Sequence, residues 1–140
     1  MSDQNTNTMM SYSASVADQE RPKPLPARQY RAECRAAEFA TSAKGKRYAK
    51  LSMYIDPTQY PADYVDGNPE GTTLTWGRTS GEDTPTGRYS MKKLHETFGI
   101  PVPKTEVDLN QFLGRTVLLT VKHEQYQEEW NANIDKMTKE

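Results

Sequence analysis

Apolar and polar residues alternate along residues 48–55, and this alternation is the clearest structural signal in the sequence. One face of an extended segment would carry the apolar side chains of Ala49, Leu51, Met53 and Ile55. The opposite face would carry Tyr48, Lys50, Ser52 and Tyr54. A period of two residues is typical of a β-strand with one buried face, so this segment predicts a strand.

Four weaker patterns predict further strands. Residues 29–39 alternate in the same way. Their Ala and Glu content would also suit a helix, but Pro26 before them and a turn after them favour a strand. Residues 72–78 have the β-branched and aromatic composition of a strand. Residues 115–123 alternate again, and residues 130–137 follow a turn and can pair back on them.

A single helix is predicted between the third and fourth strands. Within residues 90–98, Met91, Leu94 and Phe98 fall on one helical face, and Ser90 is placed to cap the first turn. The predicted order is strand, strand, strand, helix, strand, strand. This is the order of an OB-fold, a small five-stranded Greek-key barrel, so we expect a mainly β chain of that architecture.

The N-terminal 27 residues differ in composition from the rest of the chain. They contain almost no large apolar side chains, and they end with proline at every second position, at Pro22, Pro24 and Pro26. A segment this polar cannot bury enough surface to offset the entropy of ordering it. The sequence therefore predicts a disordered arm over residues 1–27, an OB-fold-like domain over 28–137 and a C-terminal end over 138–140.

The composition also restricts the cellular compartment. No run approaches the roughly 20 apolar residues that span a bilayer, and the N-terminus lacks the pattern of a signal peptide. The single cysteine, Cys34, cannot form a disulfide within the chain. These features predict a chain of the reducing cytoplasm that does not enter a membrane.

Charge is distributed unevenly, although the net charge is only −1. Residues 28–50 carry seven Lys or Arg and two Glu, whereas residues 51–71 carry four acids and no base. Four of the cations lie within seven residues, and we call residues 44–50 the basic turn. Its cations are Lys44, Lys46, Arg47 and Lys50.

Several short motifs resemble those of a known group of proteins. They are residues 29–32 (Gln-Tyr-Arg-Ala), 42–45 (Ser-Ala-Lys-Gly), 98–100 (Phe-Gly-Ile) and 112–115 (Phe-Leu-Gly-Arg). A Glu-Gln-Tyr turn and a last strand bearing Asn131 and Asn133 follow them. With these motifs the chain resembles small phage-encoded OB-fold proteins of replication and recombination, including phage single-stranded DNA-binding proteins. The C-terminus departs from the acidic tail of several such proteins, because residues 135–140 are mixed in charge.

The resemblance implies binding of single-stranded DNA with little sequence preference, in the host cell cytoplasm, with replication or recombination proteins as further partners. Cations would attract the phosphates, and aromatic rings would stack the bases. The candidate nucleic-acid-binding residues are Arg31, Arg35, Lys44, Lys46, Arg47, Tyr48, Lys50, Tyr54, Trp76, Arg78, Tyr126 and Trp130.

Plainer interpretations of these residues stay open. The basic turn could be an ordinary solvated hairpin. Trp76 shares its parity with Leu74 and could belong to the core. Trp130 could contact a ligand or cap the core. The loop of residues 56–71 could be functional, or it could be a variable surface loop that does or does not cover the tyrosines.

Other classes of site have little support in the sequence. His95 and His123 are far apart, Cys34 has no partner cysteine, and no nucleotide-binding or hydrolase motif is present. We therefore expect no metal, no cofactor and no enzymatic activity. The alternative to nucleic-acid binding is a small protein-interaction module that binds a host or phage enzyme through the acidic, Tyr-rich loop and the arm.

Overall fold

The computed structural model describes residues 8–140 and contains the predicted order of elements. The strands are β1 (Gln29–Thr41), β2 (Arg47–Ile55), β3 (Thr72–Ser80), β4 (Thr116–Tyr126) and β5 (Glu129–Thr138). The α-helix, α1 (Pro85–Phe98), lies between β3 and β4, and two 3-10 turns occur at Pro57–Gln59 and Leu109–Phe112. The strand prediction for residues 29–39 is confirmed, and the helical alternative is wrong.

The five strands form one antiparallel sheet in the order β3-β2-β1-β4-β5. The mainly β class with a single helix is therefore confirmed. Within the described residues, β3 and β5 are the two edges of the sheet and no ladder of hydrogen bonds joins them. The side chain of Arg78, on β3, connects these two edges. Its guanidinium donates to the β5 backbone carbonyls of Ile134 and Asp135 at 2.6 and 2.5 Å.

The core is built from the alternating apolar residues of the strands. The apolar face of β2, from Ala49 to Ile55, is fully buried, and Val117, Leu119 and Val121 of β4 lie on the same side of the sheet. In β1 the alternation breaks after Cys34, because a bulge between Cys34 and Ala36 shifts the register with β2. The alternation of residues 29–39 would place Ala36 on the same inward face as Ala32 and Cys34, but the bulge leaves its side chain exposed, so for Ala36 that prediction is wrong.

Helix α1 begins five residues before the predicted start. Thr84 is the N-cap, since its hydroxyl accepts a hydrogen bond from the Gly87 backbone at 3.0 Å, and Pro85 occupies the first turn. The expected cap at Ser90 is therefore wrong. Gly87 has to be glycine, because a Cβ there would lie 2.1 Å from the carbonyl oxygen of Glu82. Gly99 ends the helix with φ +69°.

Residues 8–27 contain no helix or strand, but their last part contacts the domain. Leu25 is buried in the core, and its carbonyl accepts a hydrogen bond from Nε2 of His123 at 2.8 Å. The Arg21 guanidinium binds Glu129 and Asn131 on β5. Arg21 and Leu25 therefore attach the end of this segment to the domain. The disorder predicted for residues 1–7 lies outside the described residues.

None of the helices formed by residues 8–140 has both the length and the apolar character needed to cross a membrane.

Candidate nucleic-acid interface

The basic turn is a tight loop held by the side chain and backbone of Ser42. The Ser42 backbone pairs with the Lys46 carbonyl at 2.8 Å, and its hydroxyl accepts from the Lys46 backbone at 3.1 Å. Gly45 adopts φ +80°, a conformation that glycine accommodates without strain. Lys44 and Lys46 are exposed, and among the described residues neither side chain forms an ion pair or hydrogen bond. Their charge is therefore available to a ligand.

A carboxylate sits beside these cations. Oε2 of Glu82 accepts a hydrogen bond from the Arg47 backbone at 2.7 Å, and the Gly81 backbone donates to the Arg47 carbonyl at 2.8 Å. These bonds join the segment before α1 to the start of β2. No local pattern predicts this placement of Glu82, because it is 35 residues from Arg47 along the chain.

The outer face of β2 carries Tyr48 and Lys50, as the alternation predicts. Tyr48 is half-buried against Gly77 of β3, where a Cβ would lie 3.2 Å from Cε2 of the ring. A bulge in the β2–β3 pairing between Ala49 and Leu51 makes Lys50 face two residues of β3 instead of one. Glycine at position 77 thus gives the tyrosine ring its space.

Tyr48 borders an open groove of about 820 Å³. The groove runs between the basic turn, β3 and the first turn of α1, and it collects positive and hydroxyl-bearing side chains. Its polar lining includes Ser42, Lys46, Arg47, Tyr48, Arg78, Ser80, Glu82, Thr84 and Thr86. The structure therefore brings Lys46 and Arg47 of the basic turn together with Tyr48 and Arg78 on one surface.

Tyr54 shares the outer face with Tyr48 but is covered. The Cζ atom of Arg35 lies 3.8 Å from the centre of the Tyr54 ring, a distance typical of a cation–π contact. The Tyr54 hydroxyl donates to the Glu70 carbonyl at 2.9 Å, and Gly71 packs so closely that a Cβ would lie 2.3 Å from the ring. The end of the acidic loop therefore covers Tyr54 and leaves Tyr48 uncovered.

Arg31 lies away from the basic turn, at the opposite end of β1. Its guanidinium forms an ion pair with Glu140 and contacts the hydroxyl of Thr116. The Thr116 hydroxyl, which donates to the Glu140 carboxylate, is the main cause that lowers the pKa of this carboxyl, and the Arg31 guanidinium lowers it further. Arg31 thus holds the C-terminus against β1 and β4 and does not extend the cationic surface of the turn.

Trp76 lies on the core side of β3, next to the buried Leu51 of β2. Its Nε1 donates to the hydroxyl of Thr79 at 2.8 Å, and the Arg78 guanidinium lies 4.4 Å from the ring centre. The ring packs against the core and its N–H already donates a hydrogen bond, so Trp76 occupies a position at the edge of the core. Arg78 contributes to the groove but is also bound to β5.

Tyr126 and Trp130 form a separate surface at the tip of the β4–β5 hairpin. Both are exposed, at 69% and 52%, and the turn between them uses positive φ at Gln127 and Glu128. Trp130 borders a depression of about 530 Å³ whose other walls include Pro24, Pro26, Tyr64 and His123. The end of the arm, at Pro24 and Pro26, therefore lies beside Trp130. The contact of Arg21 with Glu129 had no signal in the sequence.

The acidic loop turns its tyrosines inward. The Tyr60 and Tyr64 rings meet edge to face with centroids 5.3 Å apart, and both pack against the core. The Tyr60 hydroxyl donates to the Asn68 carbonyl at 2.9 Å, and that of Tyr64 donates to the Lys23 carbonyl at 3.0 Å. Desolvation of the Tyr64 hydroxyl raises its pKa. These rings are thus part of the domain's own packing.

Within residues 8–140, no three His, Cys, Asp or Glu side chains come together in a group that could hold a metal ion. No protein-family model matches the sequence, and no curated protein matches it either.

Proposed function

We propose that this chain is a phage-type OB-fold protein that binds single-stranded DNA with little sequence preference during replication or recombination. One observation carries the proposal: the unpaired Lys46, the start of β2 and Tyr48 line one open groove, and the unpaired Lys44 lies two residues before Lys46 in the same turn. Positive charge beside an accessible aromatic ring is what sequence-tolerant binding of a single strand requires.

The order of the strands supports the OB-fold part of the proposal. In an OB-fold, the helix follows the third strand and the outer face of the second and third strands is the usual binding surface. The order β3-β2-β1-β4-β5 and the bonds from Arg78 to β5 are compatible with a barrel whose third and fifth strands are adjacent. On this interpretation, the groove lies on the binding face.

The mechanism we propose has two parts. Lys44, Lys46, Arg47 and Lys50 attract the phosphates, which releases counterions and makes the affinity strongly dependent on salt. Tyr48 then stacks a base, a contact that contributes about 1–3 kcal/mol and is tolerant of sequence. Tyr54 contributes only after Arg35 moves off its ring, and Tyr126 and Trp130 would offer a second stacking surface. We propose no cofactor and no enzymatic activity.

The test is a titration with fluorescein-labelled oligo(dT) of about 20 nucleotides, longer than the site of one OB-fold, over several salt concentrations. We expect Lys44→Gln/Lys46→Gln to weaken binding and to reduce the slope of log K against log salt by about 1.4, which corresponds to two lost phosphate contacts. The matched control is Lys136→Gln/Lys139→Gln, which removes the same charge at β5 and the C-terminus. No binding by the unmodified chain at low salt would contradict the proposal, as would equal effects of the two double variants.

The alternative, a protein-interaction module, has less support from the loop than from the arm. Tyr60 and Tyr64 are engaged within the domain, so the acidic loop does not offer their rings to a partner. The arm does expose apolar side chains, at Tyr12 and Val16. A partner recovered from host lysate after nuclease treatment, and lost on deletion of residues 1–20, would favour this alternative.

A further inference from the structure

A second cavity, distinct from the groove, lies on the other side of the segment that precedes α1. It has a volume of about 380 Å³, which is within the range of sites for small molecules. Its walls are the buried side of α1, the end of β1 and the loop of residues 102–107. The nucleic-acid proposal assigns no role to this cavity.

The inner walls of the cavity are apolar. Met91 of α1 and Val107 form the deeper part, and Phe39 and Val102 border the mouth. Phe39 and Val102 are 38% and 44% exposed, and both border this one cavity. Phe39 is held in place by Gly81, where a Cβ would lie 3.0 Å from its ring. The cavity can therefore accept an apolar group.

The charge at the mouth is positive. Lys92 and Lys104 line the cavity, and among the described residues neither forms an ion pair. Two acids also line the cavity: Asp83 pairs with Arg88, whereas Glu82 keeps its charge and accepts a hydrogen bond from the Arg47 backbone. With Arg88, Lys92 and Lys104 against Glu82 and Asp83, the lining carries a net charge of +1. An apolar interior below two unpaired ammonium groups matches one ligand chemistry, an apolar body with a single anionic group.

We propose that this cavity binds a small organic anion with an apolar body, such as an alkyl or aryl carboxylate. The apolar part contacts Phe39, Met91 and Val102, and the anionic group lies between Lys92 and Lys104. This proposal does not depend on the nucleic-acid proposal, since the two surfaces use different cations.

The two histidines of the chain provide an internal reporter and its control. His95 lies in the wall of the cavity, where its Nδ1 bonds the Met91 carbonyl at 2.7 Å, while His123 bonds the Leu25 carbonyl on a different surface. With only two histidines in the sequence, the ring Cε1–H groups give two NMR signals. A ligand in the cavity therefore shifts the His95 signal and leaves that of His123 in place.

The probes are octanoate, octylammonium and octanol, which share one alkyl chain and differ in charge. We expect octanoate to shift the His95 signal with the highest affinity of the three. Lys92→Glu/Lys104→Glu should weaken the binding of octanoate by about tenfold and strengthen the binding of octylammonium, because the charge at the mouth is reversed. Lys44→Glu/Lys46→Glu carries the same change in net charge outside the cavity and should leave octanoate binding unchanged.

Three results would overturn the proposal. One is an unchanged His95 signal with octanoate at about 10 mM, a concentration that would reveal even millimolar affinity. Another is equal affinity for octanoate and octylammonium, which would mean that the anionic group is not recognised. The third is an equal loss of octanoate binding in both charge-reversed variants.

Discussion

The guanidinium of Arg35 covers one face of the Tyr54 ring, with Cζ 3.8 Å from the ring centre, and the Tyr54 hydroxyl is bonded to the Glu70 carbonyl. Tyr54 is therefore part of a packed contact between β1, β2 and the end of the acidic loop. Tyr48, six residues earlier on the same face of β2, has no such cover. The two tyrosines that share one face of β2 thus differ in what they can do.

Substitution of the two tyrosines should separate binding from stability. We expect Tyr48→Ala to weaken oligo(dT) binding by about 1–3 kcal/mol, the value of one stacked base, with little change in the melting temperature. Tyr54→Phe should leave binding nearly unchanged and lower the free energy of unfolding by about 1 kcal/mol, because one hydrogen bond is lost. Fluorescence anisotropy and urea unfolding measure the two effects. A greater loss of binding in the Tyr54 variant would contradict this division of roles.

Arg78 should matter more to stability than an average surface arginine. Its guanidinium donates to two carbonyls of β5 and contacts Trp76, so Arg78→Met should lower the free energy of unfolding by about 2–3 kcal/mol. It should also speed hydrogen exchange along the edge of β5. The matched control is Arg88→Met, which removes an exposed ion pair with Asp83 that contributes little. Equal destabilisation by the two variants would argue against a role for Arg78 between the sheet edges.

Leu25 should be required for folding although it belongs to the polar N-terminal segment. It is buried with 3% of its surface exposed, so Leu25→Ala should lower the free energy of unfolding by about 2–4 kcal/mol. Val16→Ala, at an exposed position of the same segment, should have almost no effect. Deletion of residues 1–20 should likewise leave the urea midpoint unchanged. If Leu25→Ala behaves like Val16→Ala, the segment does not pack as described.

Cys34 should be chemically inert in the folded chain. Burial is the main cause that raises the pKa of its thiol from the usual value of 9.0 to about 11, so almost no thiolate is present at neutral pH. We expect Ellman's reagent at pH 8 to react with Cys34 only after unfolding.

The same shift in pKa predicts a dependence of stability on pH. Between pH 9 and pH 11 the folded chain retains the Cys34 proton that the unfolded chain releases, so stability contributed by this thiol falls as the pH rises. Cys34→Ala removes this contribution. Between pH 9 and pH 11 the urea midpoint of this variant should therefore fall less than that of the unmodified chain. Fast reaction of the native thiol at pH 8 would contradict its burial.

The sequence predicted those parts of the fold that depend on local periodicity. The alternation of β2 and the order of the elements were readable, because each strand has one buried face and because glycine and proline mark the turns. The start of α1 could not be predicted, because Thr84 and Ser90 are both residues that can cap a helix. The bulge after Cys34 could not be predicted either, because the register of β1 depends on its pairing with β2.

The candidate site was predictable only where its residues are adjacent in sequence. Lys46, Arg47 and Tyr48 are consecutive in the sequence, and all three line the groove. Contacts over long separations, such as Arg31 with Glu140 or Arg21 with Glu129, depend on the path of the whole chain. No local pattern distinguishes these paired arginines from unpaired ones.

The carboxylate of Glu82 has a consequence for the orientation of any ligand in the groove. Because the Arg47 backbone holds it, this negative charge cannot swing away when a polyanion arrives. If the groove binds nucleic acid as proposed, phosphates would be repelled from that wall and drawn to Lys46 and Arg47, whereas an amino group on a base could donate to the free carboxylate oxygen. A nucleic-acid strand is chemically different along its two directions and its two sides, and fixed charges of both signs would favour one direction of threading over the other.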